Sequence, residues 1–175
     1  MSRQTGTDAM YKKILVPLDG SELAEQVLPQ ISQLAGCTGA EIVLLRVPSE
    51  PVYDYLVPNP DIAIEMHDDL ETGAQVYLDE IASELRAMDL NVTTLVVWGA
   101  PVQDTILQVA AELHADMIAM STHGRSGLAR LMIGSVADEV ARHASVPVLL
   151  VKPETPRVAS DKAHKKNKTA LPVMN

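Results

Sequence analysis

The amino-acid sequence predicts an α/β protein built on a single doubly wound open sheet, with five parallel strands and helices on both faces. Three observations predict it. Five short apolar runs lack a helical period and most are closed by Gly, Pro, Asp or Ser, as buried strands are. The segments between them repeat apolar residues every three or four positions, so strand and helix alternate. Consecutive strands separated by helices run parallel, and right-handed crossovers then wind the chain over both faces. With 175 residues, 47% of them apolar, the chain fits one domain with a sizeable core.

The first strand, 13–18 (KILVPL), is closed by Asp19, Gly20 and Ser21. Leu23, Val27, Ile31 and Leu34 then share one helical face. Ser21 or Asp19 is placed to cap that helix, Gly36 to end it, and Pro29 to kink it by deleting a backbone hydrogen bond. Residues 41–47 (EIVLLRV) read as the second strand, and 48–65 as a proline-containing loop whose length points to a lid or contact surface. Leu70, Ala74, Leu78, Ile81, Leu85 and Met88 follow helical spacing. Residues 91–98 (NVTTLVVW) give the third strand, closed by Gly99. Pro101 suits the first position of a helix whose apolar face is Val102, Ile106, Val109 and Leu113. The fourth strand is 116–120 (DMIAM), followed by a loop over 121–127. After Gly134 a short helix opens, with Ser135 and Asp138 in a capping arrangement, and 146–151 (VPVLLV) is the fifth strand.

Charge and composition exclude several functions. The formal net charge of −9 is uneven. Residues 153–175 hold five basic and two acidic residues, leaving 9 basic against 21 acidic, a net of −12, in 1–152. That body repels a phosphodiester backbone, so no nucleic acid is expected as ligand. Cys37 is the one cysteine, which excludes an internal disulfide and a multi-thiolate metal site. It has no neighbouring base or cation and reads as an inert thiol. No apolar run approaches the roughly 18 residues of a spanning helix, and 1–9 lacks a signal-peptide apolar stretch. The expectation is a cytoplasmic protein away from membranes. Residues 1–9 read as an N-terminal extension, 10–152 as the domain, and 153–175, with Pro153, Pro156 and Pro172, as a basic solvated tail.

In such a sheet, ligands settle beyond the carboxyl ends of the strands where the strand order reverses. Two of these ends carry suggestive residues: 17–21 (PLDGS), and 121–127 (STHGRSG) leading on to Gly134 and Ser135. Gly124 and Gly127 let backbone amides converge, and Gly134 and Ser135 present free amides at a helix start, where anions are favoured. The hydroxyls of Ser121, Thr122, Ser126 and Ser135 add uncharged donors. Strand-to-helix loops are rich in glycine and serine whatever they do, so composition alone leaves phosphate binding as one reading of two. His123 has no second histidine or carboxylate at ligand spacing, so no metal is expected. Arg125 and Arg130 read as solvated loop arginines. The chain lacks Gly-x4-Gly-Lys-Ser/Thr, the signature of a P-loop nucleotidase.

The run STHGRSGLARLMIGSVADEVARHASVPVLLVK, with the opening KKILVPLDGSELAE, closely resembles the universal stress protein family over about residues 11–152. The nucleotide-binding branch of that family follows Gly-x2-Gly-x9-Gly-Ser/Thr. Gly124, Gly134 and Ser135 match this pattern, and Ser121 replaces its first glycine. The resemblance implies a Rossmann-like sheet of the adenine nucleotide alpha hydrolase type. It also implies ATP or a related adenine nucleotide as a regulatory ligand of the stress response, with Mg2+ held mostly by the phosphates. At matching positions it implies Asp19 beside the ribose or base, Pro17 near the adenine, and the Val47 backbone reading the adenine edge. Met120 and Val136 would line the pocket, and the amides of Gly124, Gly134 and Ser135 would hold phosphates. A homodimer through 146–151 is implied as well.

No positioned general base or catalytic lysine is visible, so no catalytic residue is expected and hydrolysis is at most slow. Serine at 121 keeps its amide, but its Cβ would crowd a ligand if the position demanded a glycine-only conformation. Two alternatives therefore stay open. One is a nucleotide-free dimeric interaction module, which Ser121 favours. The other is an ATP-dependent enzyme, for which 48–65 would have to supply a substrate pocket.

Overall fold

Strands β1 (Lys13–Pro17), β2 (Glu41–Arg46), β3 (Val92–Val96), β4 (Met117–Ser121) and β5 (Val148–Val151) form one parallel sheet in the order β3-β2-β1-β4-β5. The coordinates are a computed structural model that describes residues 11–48, 60–122 and 133–153. Helices α1 (Glu22–Glu25) and α2 (Leu28–Thr38) join β1 to β2, and α3 (Pro60–Arg86) joins β2 to β3. Helix α4 (Val102–Glu112) carries the chain from β3 to β4 on the far side of β1, and α5 (Ser135–His143) precedes β5. The strand order thus reverses between β1 and β4.

The two-residue period of a strand splits the core into two layers. Ile14, Val16, Ile42 and Leu44 face Ile31 and Ala35 of α2 and Leu78, Ile81, Ala82 and Leu85 of α3. Leu15, Val43 and Leu45 face Ile106, Val109 and Ala110 of α4 and Ala137 and Val140 of α5. Burial on both faces explains why these strands read as unbroken apolar runs rather than as alternation.

Local details differ from the sequence expectations. The first helix is two helices rather than one kinked helix, and Pro29 lies in the opening turn of α2, where its missing N–H breaks no bond. Gly39, not Gly36, ends α2: it is left-handed at φ 72° and donates its N–H to Ala35 at 2.7 Å. Helix α3 begins at Pro60, so the predicted loop over 48–65 gives way to helix from 60 onward, while 49–59 lie outside the described residues. Leu70 and Met88, assigned to the apolar face, are 39% and 65% exposed, and the inward face is Ala74, Leu78, Ile81 and Leu85. Pro101 is the N-cap of α4 rather than its first residue. Gly134 is the N-cap of α5 with no side-chain cap, and Asp138 pairs with Arg142 at 2.9 Å instead of capping.

Candidate functional site at the switch point

The two central strands are unequally paired. β1 pairs with β2 along 13–17, but with β4 only at Ile14–Met117 and Leu15–Ile118. Pro17 has no N–H to donate, so it cannot extend a ladder as another residue would. At the opposite rim the same strands are tied together. Asp116 Oδ2 accepts the backbone N–H groups of Lys12 and Lys13, each at 2.8 Å, and the Asp116 N–H donates to the Lys13 carbonyl at 2.9 Å. Those two backbone donors hold the Asp116 carboxyl below its usual range.

Where the β1–β4 pairing stops, a crevice of about 280 Å3 opens. Pro17, Leu18 and Asp19 wall it from the end of β1, Arg46 and Val47 from β2, and Met120, Ser121 and Thr122 from β4. Gly134, Ser135 and Val136 at the start of α5 close one end, and Val102 and Ile106 of α4 supply an apolar side. Pro17, Asp19, Val47, Met120, Ser121, Gly134, Ser135 and Val136, all singled out from the sequence, are therefore brought to one place. Gly124, the ninth, lies outside the described residues, as do His123, Arg125 and Arg130.

Asp19 orients the first turn beside the crevice. Its Oδ1 accepts the Ser21 N–H at 3.0 Å and the Ser21 hydroxyl at 2.6 Å, and Ser21 Oγ in turn accepts the Ala24 N–H at 3.2 Å, so Ser21 is the N-cap. Leu18 is held from both sides: its N–H donates to Leu45 at 2.8 Å and its carbonyl accepts Arg46 Nη1 at 3.1 Å. Sequence reasoning missed Arg46. The available signal was the lone charge near the end of EIVLLRV.

Ser121 ends β4 and is 6% exposed. Among the described residues the left-handed non-glycine positions are Asp89 and His114, so residue 121 has ordinary strand backbone and demands no glycine. Gly134 has an ordinary φ of −60°, but its N–H donates to the Thr122 carbonyl at 2.7 Å and an added Cβ would lie 3.3 Å from that oxygen. Close approach, not conformation, calls for glycine there. The nine-residue helix α5 starts at this point, and its first N–H groups have no intrahelical acceptor.

Among the described residues no group of three or more His, Cys, Asp or Glu side chains could hold a metal, and no helix is long and apolar enough to cross a membrane. Strand β5 is the outer strand beside β4, and its four residues are half-buried.

Together these features define an open α/β sheet with a crevice at its switch point. The universal stress protein family matches residues 10–152. Universal stress protein MJ0577 of Methanocaldococcus jannaschii is 30% identical over 156 residues, which cover 82% of this chain and 96% of the relative. The chain belongs to the universal stress protein family. A solved structure of MJ0577 superposes with a TM-score of 0.74 at 31% identity, covering 84% of this chain and 99% of the other. Two solved structures of lower identity share the fold. One is a universal stress protein in complex with cAMP (TM-score 0.59, 23% identity, 82% and 98% covered), and the other an Arabidopsis thaliana family member with AMP bound (TM-score 0.61, 17% identity, 86% and 97% covered).

Proposed function

We propose that the crevice binds ATP or a related adenine nucleotide as a regulatory ligand of the stress response, in a cytoplasmic homodimer. The observation that carries this reading is the union of an apolar slot with a helix N-terminus at one switch point. Pro17, Val47, Met120 and Val136 offer surfaces suited to a purine, and the Val47 backbone lies at the end of β2, in reach of an adenine edge. Asp19 supplies a carboxylate suited to ribose hydroxyls. The Ser135 amide at the start of α5, with Gly124, serves the phosphates, because orphan donors and the helix dipole both favour an anion, while the Gly134 N–H is engaged by the Thr122 carbonyl and glycine there serves by allowing close approach. With a body of net −12, affinity has to come from these local donors rather than from long-range attraction. Among the described residues the crevice lining offers Asp19 as its one carboxylate, so Mg2+ arriving with the nucleotide would be held chiefly by phosphate oxygens.

Residues 146–151 are suited to the dimer contact, because β5 is an edge strand whose Leu149 and Val151 pack on one core layer and Leu150 on the other. Calorimetry on the full chain with ATP, AMP and cAMP, with and without Mg2+, tests the ligand. Heat release with one site per chain is expected. Absence of binding, together with no adenine nucleotide in an acid extract of the purified protein, would overturn the reading. Sedimentation tests the dimer.

The nucleotide-free module is the second reading, and the serine at 121 favours it. It predicts that Ser121→Gly creates affinity where none existed.

A further inference from the structure

Helix α1 is a single turn of four residues, Glu22–Glu25. One turn does not hold itself, because nucleating a helix costs more than its few hydrogen bonds return. Its surroundings set its place, and that place bears on the crevice. Ala24 is buried and is one of the crevice walls. Its N–H is held by Ser21 Oγ, and Ser21 is in turn bonded through both its N–H and its hydroxyl to Asp19 Oδ1. Asp19, Ser21 and Ala24 are therefore one hydrogen-bonded piece.

Side chains from two other elements tie this piece at both ends. At its start the Arg46 guanidinium of β2 donates to the Leu18 carbonyl at 3.1 Å. At its end the Tyr77 hydroxyl of α3 donates to Glu25 Oε1 at 2.9 Å. Glu25 and Tyr77 are both half-buried, where water competes less for such a bond. The Tyr77 phenol is governed by its burial, then by Glu25, and it also feels the charges of Arg46 and Asp19, so these side chains share one electrostatic neighbourhood. Neither Tyr77 nor Glu25 is a wall of the crevice itself.

We propose that Tyr77 is a positioning residue for ligand recognition: through Glu25 it fixes the turn that carries Asp19, and so sets how well the crevice reads the ribose hydroxyls of a nucleotide. This role rests on the nucleotide reading and deepens it. A hydrogen bond weakens steeply once its distance or angle is spoiled, so a slack α1 costs the Asp19 contact first. The phosphates of that reading lie at the start of α5, which is tied to Thr122. The hydroxyl end of the ligand is the one that Tyr77 governs.

The test is calorimetry on the full chain with ATP and with its dideoxy analogue, which keeps the base and the phosphates and lacks both ribose hydroxyls. The parent is expected to prefer ATP by about tenfold. Tyr77→Phe is expected to weaken ATP about fivefold and to leave the dideoxy analogue within about twofold, so that the preference collapses. Glu25→Leu removes the acceptor from the other side and reproduces that collapse, which decides the matter even if one variant fails to fold. Glu25→Gln keeps an oxygen acceptor and retains most of the preference. Equal weakening of both nucleotides, the mark of a merely structural role, overturns the proposal. So does an unchanged preference in Tyr77→Phe or Glu25→Leu, or a parent that binds the two nucleotides alike; in each of these cases the nucleotide reading stands. A parent that binds neither nucleotide overturns that reading and this role with it.

Discussion

Gly134 donates its backbone N–H to the Thr122 carbonyl at 2.7 Å, and a Cβ on residue 134 would stand 3.3 Å from that same oxygen. The end of β4 and the start of α5 are thus held at a separation that only glycine permits without adjustment. Gly134→Ala has to push the helix start outward by a few tenths of an ångström. Nucleotide affinity, read by calorimetry, is expected to fall about tenfold, the scale of one well-made hydrogen bond.

Ser121→Gly separates the two readings of the crevice. Residue 121 has ordinary strand backbone, so removing its side chain is expected to change ATP affinity by less than about threefold. A gain of a hundredfold or so would point instead to a chain whose serine keeps nucleotide out.

Gly99 is tightly enclosed. A Cβ there would overlap Thr105 Oγ1, whose side chain is buried and donates to the Pro101 carbonyl at 3.2 Å. Gly99→Ala is expected to destabilise the fold by about 1–3 kcal/mol, the usual range for overpacking, as measured by urea unfolding.

Asp116 sets an acid limit. Its folded carboxyl is depressed by the backbone N–H groups of Lys12 and Lys13, so its contribution is complete above the ordinary carboxylate range near pH 4 and drains away as pH falls through and below that range. Asp116→Asn keeps an oxygen acceptor but removes the charge. The variant's stability curve should be flatter than the parent's on the acid side. Parallel curves would show that the tie does not depend on ionisation.

Tyr77 sets an alkaline one. Burial first, and the hydrogen bond to Glu25 second, push its phenol well above the ordinary tyrosine range. The folded chain therefore keeps a proton that the unfolded chain releases once pH passes about 10, and stability falls as pH rises beyond that point. Tyr77→Phe is expected to lose about 1 kcal/mol at neutral pH and to show a shallower alkaline decline. An unchanged decline would assign the effect to another group.

The strands and their order of appearance were legible because a sheet covered on both faces writes itself as continuous apolar runs. The crevice residues were legible because they follow strands in short loops and match a family pattern. The helix details were not. Spacing groups Leu70 and Met88 with Ala74 and Leu78, yet only the placement of α3 against the sheet decides which of them are buried. Pro29 suits the opening turn it occupies, but periodicity does not locate that turn, and in a helix interior the same residue would be a kink. Arg46 stayed hidden inside an apolar run. Its importance, like that of Pro17, depends on which strands become neighbours, a relation that lies outside any local window of sequence.

The unequal pairing of β1 and β4 makes this region resemble a clothes peg, sprung shut at the Asp116 end and gaping at the Pro17 end. A molecule gripped in the jaws supplies the bridge that the backbone omits there. Occupancy as proposed would then be written into the resilience of the scaffold.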